Sequence, residues 1–257
     1  MISIITKEIN DLPILEICDS EKLGEELPLV FFYHGWTGCK ERVLTQGYEI
    51  AKKGFRVILP DALYHGDRQE GDVKGHVLEF WKIVLNSVKE FPTLVDYYRE
   101  NVGIKDGFVG VSGLSMGGIT TNALMTTYPW INAGVCLMGS PKPVKFAKKL
   151  VADAATQVKG MPDTEVDKQI SALEPFDLSL NLEKLASRPL HFWHGTADKI
   201  VPYQDTVDFY RENIGKSYTE NVTLTTTENA GHKVSQETTL EMANKFNQYY
   251  QKFVGKR

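Results

Sequence analysis

Gly110-Val-Ser-Gly-Leu-Ser-Met-Gly-Gly118 is the stretch that most constrains what this chain can fold into. Before it, Phe108 to Val111 is a short apolar run of the kind that forms a buried strand. After it, Ser115 to about Tyr128 is a helical stretch that stops at Pro129. A serine flanked by glycines between a strand and a helix is the G-x-S-x-G turn, which strains the serine backbone and lifts its hydroxyl to the end of the sheet. Gly113 and Gly117 are needed there because side chains would collide with the neighbouring strand and helix. The same turn aims the Met116 N–H, at the positive end of the helix, toward the hydroxyl. Ser115 is therefore the candidate nucleophile.

A glycine-rich strand-to-helix turn can also cradle a nucleotide. That reading needs G-x-G-x-x-G with an acidic residue about twenty positions on, or a following G-K-[ST]. The glycines here fall at 110, 113, 117 and 118, and no G-K-[ST] follows. The remaining alternative for the motif alone is a tight turn that packs and does no chemistry.

The rest of the chain narrows the choice. Its 257 residues are enough for one α/β domain with a full core. The net charge of -4 is spread without a basic block, which argues against nucleic acid as a partner. Met1 to Glu8 lacks the charged start and apolar run of a signal peptide, and no run approaches a membrane span. Cys18, Cys39 and Cys136 are odd in number, far apart and free of any C-x-x-C pair, which suits a reducing cytoplasm. The expectation is a cytoplasmic protein without a membrane partner. The sequence carries no signal for its oligomeric state.

Along the chain, Ser3–Ile9 and Pro13–Cys18 read as a hairpin turned at Asn10-Asp11. Pro28–Tyr33 is a nearly continuous apolar run, as expected of a strand covered on both faces. A helix is expected from about Lys40 to Lys53, closed by Gly54, then a strand at Phe55–Leu59. Helical periodicity follows from about Gly75 to Asn101, with a break expected near Pro92. Strands at Ala133–Met138, Leu190–His194 and Val222–Thr227 alternate with helices at Tyr203–Ile214 and Ser235–Phe253. Such alternation implies a mostly parallel sheet with ligands beyond the carboxyl ends of its strands. Two helices without a strand between them, Pro143–Gln157 and Thr164–Leu173, break it. Residues 141–188 are read as a small helical cap inserted into a single domain spanning 1–257, against the alternative of helices packed outside the sheet.

A serine hydroxyl needs a base, and the base needs an orienting group. Asp198 lies in Gly195-Thr-Ala-Asp-Lys-Ile-Val-Pro202, directly after a late strand, and is the expected acid; capping the next helix is its alternative role. His232, in Asn229-Ala-Gly-His-Lys233, follows the last strand behind small residues that leave room for its ring, and is the expected base. His34 and His65 come too early in the chain, His76 starts a helix, His191 is inside a strand, and His194 precedes a turn glycine. The oxyanion needs two N–H donors: Met116 supplies one, and the glycines of His34-Gly-Trp-Thr-Gly38 let the backbone N–H of Trp36 supply the other.

With these residues in place the chain resembles the α/β-hydrolase superfamily, and within it small bacterial carboxylesterases of the dienelactone-hydrolase and feruloyl-esterase branches. The likeness is carried by His34–Gly38, Asp61–Arg68, Gly113–Gly118, Trp193–Asp198 and Gly231-His232. It implies an α/β-hydrolase fold with eight strands, the second antiparallel, and helices on both faces. It also implies a Ser115-His232-Asp198 triad in that family's chain order, ester hydrolysis and no cofactor or metal. Dienelactone hydrolases proper use cysteine; here the turn holds Ser115, and Cys39 is off it. The expected activity is a serine carboxylesterase acting on small, short-chain acyl esters. Alternatives are a peptidase or thioesterase on the same triad, although peptidases of this fold generally carry a large extra domain, and a non-catalytic ligand-binding relative, which would be expected to have lost a triad member. Lys142, Lys145, Lys148 and Lys149 could attract an acidic acyl group or form a solvated helix face. Trp36 and Tyr64 could line an aromatic-friendly pocket.

Overall fold

The computed structural model describes residues 1–154 and 163–256. Strands β1 (Ile2–Ile9) and β2 (Leu12–Asp19) form the expected hairpin; Asn10 and Asp11 turn it with φ of 49° and 61°, the left-handed pair such two-residue turns require. Strands β3 (Leu27–Tyr33), β4 (Arg56–Pro60), β5 (Ile104–Leu114), β6 (Ala133–Leu137), β7 (Leu190–Gly195) and β8 (Val222–Thr227) complete the sheet. Among the described residues it has eight strands in the order β1-β2-β4-β3-β5-β6-β7-β8, with β2 antiparallel to both neighbours and the rest parallel. This is the α/β-hydrolase fold.

The central strands are buried on both faces, and the period of two along β3 shows how. Leu29, Phe31 and Tyr33 enter one core; Val30 and Phe32 enter the other. The first core is covered by α2 (Phe80–Asn101), α3 (Met116–Thr127) and α6 (Tyr203–Asn213) through Phe91, Leu124 and Phe209. The second is covered by α1 (Leu44–Ala51) and α7 (Gln236–Val254) through Ile50 and Phe246. Between β6 and β7 lie α4 (Pro143–Ala154) and α5 (Asp163–Ser171); positions 155–157 of the expected first helix lie outside the described residues.

Two expected helices differ in detail. Lys40–Val43 is a tight 3-10 turn, and only Leu44–Ala51 is α-helical, because the Lys40 amide donates to Asp61 Oδ1 (2.8 Å). The Gly75–Asn101 stretch begins as a 3-10 segment over Val73–Glu79 with a kink at His76, and α2 then runs unbroken through Pro92. Proline at 92 removes the N–H that would have bonded the carbonyl of Val88. The Tyr128 hydroxyl donates to that carbonyl at 2.9 Å, so the helix continues with its orphaned acceptor satisfied.

Candidate active site

The sharp turn after β5 sets the site. Ser115 has φ 56° and ψ −116°, a conformation that only a tightly packed surrounding can hold in a non-glycine residue. A Cβ at Gly117 would run into the carbonyl of Tyr33, and one at Gly113 into the carbonyl of Gly117, so both approaches need glycine. The Ser115 amide donates to Leu137 O (2.9 Å), which ties the turn to β6. Met116 opens α3, so its N–H is among the donors that a helix start leaves unpaired.

Asp198 stands on the loop after β7. Gly195 ends that strand against the next loop, where a Cβ would strike the carbonyl of Ala230. Asp198 Oδ1 accepts from the amides of Ile200 (2.8 Å) and Val201 (3.1 Å). Its Oδ2 lies 2.7 Å from His232 Nδ1 and 3.1 Å from His194 Nε2. Burial would raise the carboxyl's pKa, but hydrogen bonds from His194, His232 and the Ile200 amide together hold it well below the usual carboxylate range. An ionised carboxylate only accepts, so both facing ring nitrogens carry hydrogens.

With Nδ1 of His232 protonated toward Asp198, its Nε2 is the free lone pair, and it lies 2.8 Å from Ser115 Oγ. The structure thus joins the three residues named from the sequence into one hydrogen-bonded chain. His194 escapes sequence reasoning about the site: it is fully buried, yet its ring reaches the same carboxylate oxygen as His232. The available signal was its spacing of four before Asp198.

The loop after β3 carries Trp36. Among the described residues the Trp36 amide has no hydrogen-bond partner, and Gly35 beside it packs so closely that a Cβ would lie 3.4 Å from Ser115 Cβ. Two buried links hold this loop. His34 Nε2 accepts from the Ala62 amide (3.1 Å), leaving Nδ1 to donate to Gly35 O (2.9 Å); burial lowers its pKa to about 4, so the ring is neutral. Lys40 Nζ reaches Asp61 Oδ2 and Asp67 Oδ2, each at 2.7 Å, and so clamps the segment after β4 against it.

A cavity of about 330 Å³ opens onto Ser115. Trp36, Phe80, Trp81, Met116 and Phe146 contribute to its wall, with aliphatic residues of α4 and α5. Trp36 therefore lines it as expected, whereas Tyr64 is absent from the wall and stacks on His76 with ring centres 3.8 Å apart. The lysine cluster is also outside: Lys142 pairs with Glu212 (2.9 Å), Lys145 with Asp205 (2.7 Å), and Lys149 with Asp153. Cys39 sits at the end of the loop after β3 with its thiol pKa raised by burial. Among the described residues no group of three or more metal-ligating side chains gathers, and no helix is long and apolar enough to cross a membrane. A serine hydroxyl hydrogen-bonded to an imidazole, and that imidazole to a carboxylate, is an arrangement suited to acyl transfer.

Comparison with known proteins agrees with this chemistry. The model of the prolyl oligopeptidase family matches residues 51–257. The Bacillus subtilis (strain 168) protein named "Putative esterase YitV" is 40% identical over 258 residues, covering 97% of this chain and 100% of that one. "Esterase YjfP" of Escherichia coli (strain K12) is 31% identical over 207 residues, 80% of this chain and 83% of that one. Among solved structures, TT1662 from Thermus thermophilus superposes with a TM-score of 0.75 at 22% identity over 98% of both chains.

Proposed function

The chain belongs to the prolyl oligopeptidase family and is an esterase-type serine hydrolase; from that premise we propose that Ser115, His232 and Asp198 are its triad and that it hydrolyses small carboxylic esters. The observation that carries the reading is the unbroken chain Ser115 Oγ–His232 Nε2 (2.8 Å) and His232 Nδ1–Asp198 Oδ2 (2.7 Å). His232 takes the Ser115 proton as Oγ attacks the ester carbonyl, and Asp198 holds the ring in the required tautomer and stabilises the imidazolium. The amides of Trp36 and Met116 receive the oxyanion, a contribution of about 10²–10³ in rate per donor. His232 then protonates the leaving alcohol. Water repeats the sequence on the acyl-enzyme and releases the acid.

Residues 141–188 act in this reading as a cap, since Phe146, Ala147 and Leu150 of α4 form part of the wall over Ser115. The protein works in the cytoplasm without metal or cofactor. A peptidase or thioesterase would use the same three residues; the matches over 97% and 80% of the chain to proteins named as esterases favour the ester.

The test is hydrolysis of p-nitrophenyl acetate by the wild type and Ser115→Ala, alongside fluorophosphonate labelling and peptide mapping. Ser115→Ala should lower kcat by about 10⁴-fold or more while the circular dichroism spectrum is unchanged. Near-normal turnover in that variant, or label on another residue, would remove Ser115 from its role.

A further inference from the structure

We propose that the acyl part of the substrate is an uncharged hydrocarbon chain of about six to ten carbons seated in the cavity beside Ser115, while the alcohol part stays outside it on the His232 side. This rests on the serine esterase reading and makes its substrate specific.

The direction comes from the four groups around the tetrahedral carbon. One is Ser115 Oγ. The oxyanion faces the amides of Trp36 and Met116, and the leaving oxygen must lie within reach of His232 Nε2 to be protonated. The fourth is the acyl carbon. Ser115, Trp36 and Met116 all line the cavity, and His232 does not. The cavity therefore lies on the oxyanion side and receives the acyl chain, and the alcohol leaves past the partly exposed His232 ring.

The wall sets the chemistry. Among the described residues no charged side chain lines the cavity, and apart from Ser115 and the indoles Gln169 is the one polar side chain in its wall. A carboxylate on the acyl group would lose its water with no partner to replace it. The size sets the length. At about 30 Å³ for a water-sized group, 330 Å³ holds roughly eleven such groups, so an acetyl group leaves most of the space unfilled. At the mouth, Val77, Leu78 and Ile200 are 58%, 62% and 64% exposed, continuing the apolar wall to the surface. A chain that fills the cavity and ends against them covers apolar area that is otherwise wet. The short acyl group suggested by the sequence does neither.

Two isomers separate this from its alternatives. Methyl octanoate and heptyl acetate have the same formula and place the same chain on opposite sides of the ester. The wild type should hydrolyse methyl octanoate with a kcat/KM at least tenfold higher. Along p-nitrophenyl acetate, butyrate, hexanoate and octanoate, kcat/KM should rise up to about fourfold per buried methylene. Ala147→Phe, which fills the cavity, should lower the octanoate-to-acetate ratio at least tenfold. Leu78→Asp, at an exposed position that cannot endanger the core, should lower that ratio as well. Equal or greater rates on heptyl acetate, or a Ser115-dependent rate that is highest for acetate, would overturn the proposal and leave the serine esterase standing. No Ser115-dependent hydrolysis of any ester by folded protein would overturn both.

Discussion

His194 and His232 hydrogen-bond the same oxygen of Asp198, at 3.1 Å and 2.7 Å. The first ring is fully buried and the second partly exposed. With the Ile200 and Val201 amides on the other oxygen, the carboxylate is held from both ends. Replacing His194 by Leu removes one donor to a buried charge, a loss of about 1.5–3 kcal/mol, or about ten- to hundredfold in kcat where it is felt in the imidazolium-forming step. His194→Gln, which can still donate, should recover part of it. Steady-state kinetics of both variants at matched thermal stability decide the matter. Wild-type kcat in His194→Leu would show that the contact does not bear on the reaction.

Gly195 controls the other side of the same arrangement. Its missing Cβ is the space occupied by the Ala230 carbonyl, two residues before His232. Gly195→Ala must push backbone against backbone, at a cost of about 1–3 kcal/mol of stability. It should also carry the His232 ring away from Ser115. The expected outcome is at least a tenfold fall in kcat, visible equally in the rate of fluorophosphonate labelling. Labelling at the wild-type rate would mean that the loop absorbs the shift before it reaches His232.

The parts of this molecule legible in its sequence are those written in local pattern. The Gly113-x-Ser115-x-Gly117 spacing marks a turn whose close contacts leave no room for side chains, and the apolar runs at Pro28–Tyr33 and Ala133–Met138 mark strands that are buried on both faces. Loops after those strands could be ranked by position because parallel sheets put their ligand ends together. What depended on distant residues could not be read. The unbroken course of α2 through Pro92 is decided by Tyr128, and the identity of the cavity wall by Trp81 meeting Phe146 across separate elements. The chain neighbours of His194 describe only a strand end, while its contact with Asp198 is set by the loop folding back onto it.

Tyr128 and Pro92 should therefore be energetically coupled. Tyr128→Phe keeps the ring against Phe91 and Trp130 but leaves the Val88 carbonyl without its donor, which should cost about 1 kcal/mol. Pro92→Ala returns an N–H to that carbonyl and removes the ring that crowds it. In the Pro92→Ala background the Tyr128→Phe change should then cost little. A double-mutant cycle by chemical denaturation measures the difference. Additive effects would mean that the hydroxyl does not substitute for the missing helix bond.

Acidification should destabilise the fold well before the carboxylates titrate. Burial lowers His34 to about 4 and His191 to about 3, the latter with help from Lys245, whereas an unfolded histidine takes up its proton near 6.5. Between pH 6.5 and about 4 the unfolded chain thus binds protons that the folded protein refuses, so stability falls as pH falls, by up to about 1.4 kcal/mol per pH unit for each ring. Asp198 contributes nothing in this window: its folded pKa is depressed, so its stabilising effect fades only below the unfolded value of about 3.9. His76, raised chiefly by its hydrogen bond to Glu79, works in the opposite sense at the surface. The comparison that isolates one buried ring is His191→Val against wild type, followed by denaturant unfolding at pH 7, 6 and 5. The variant should lose stability less steeply, by up to one proton's worth of slope. Parallel curves would mean that the folded protein admits a proton to His191 after all.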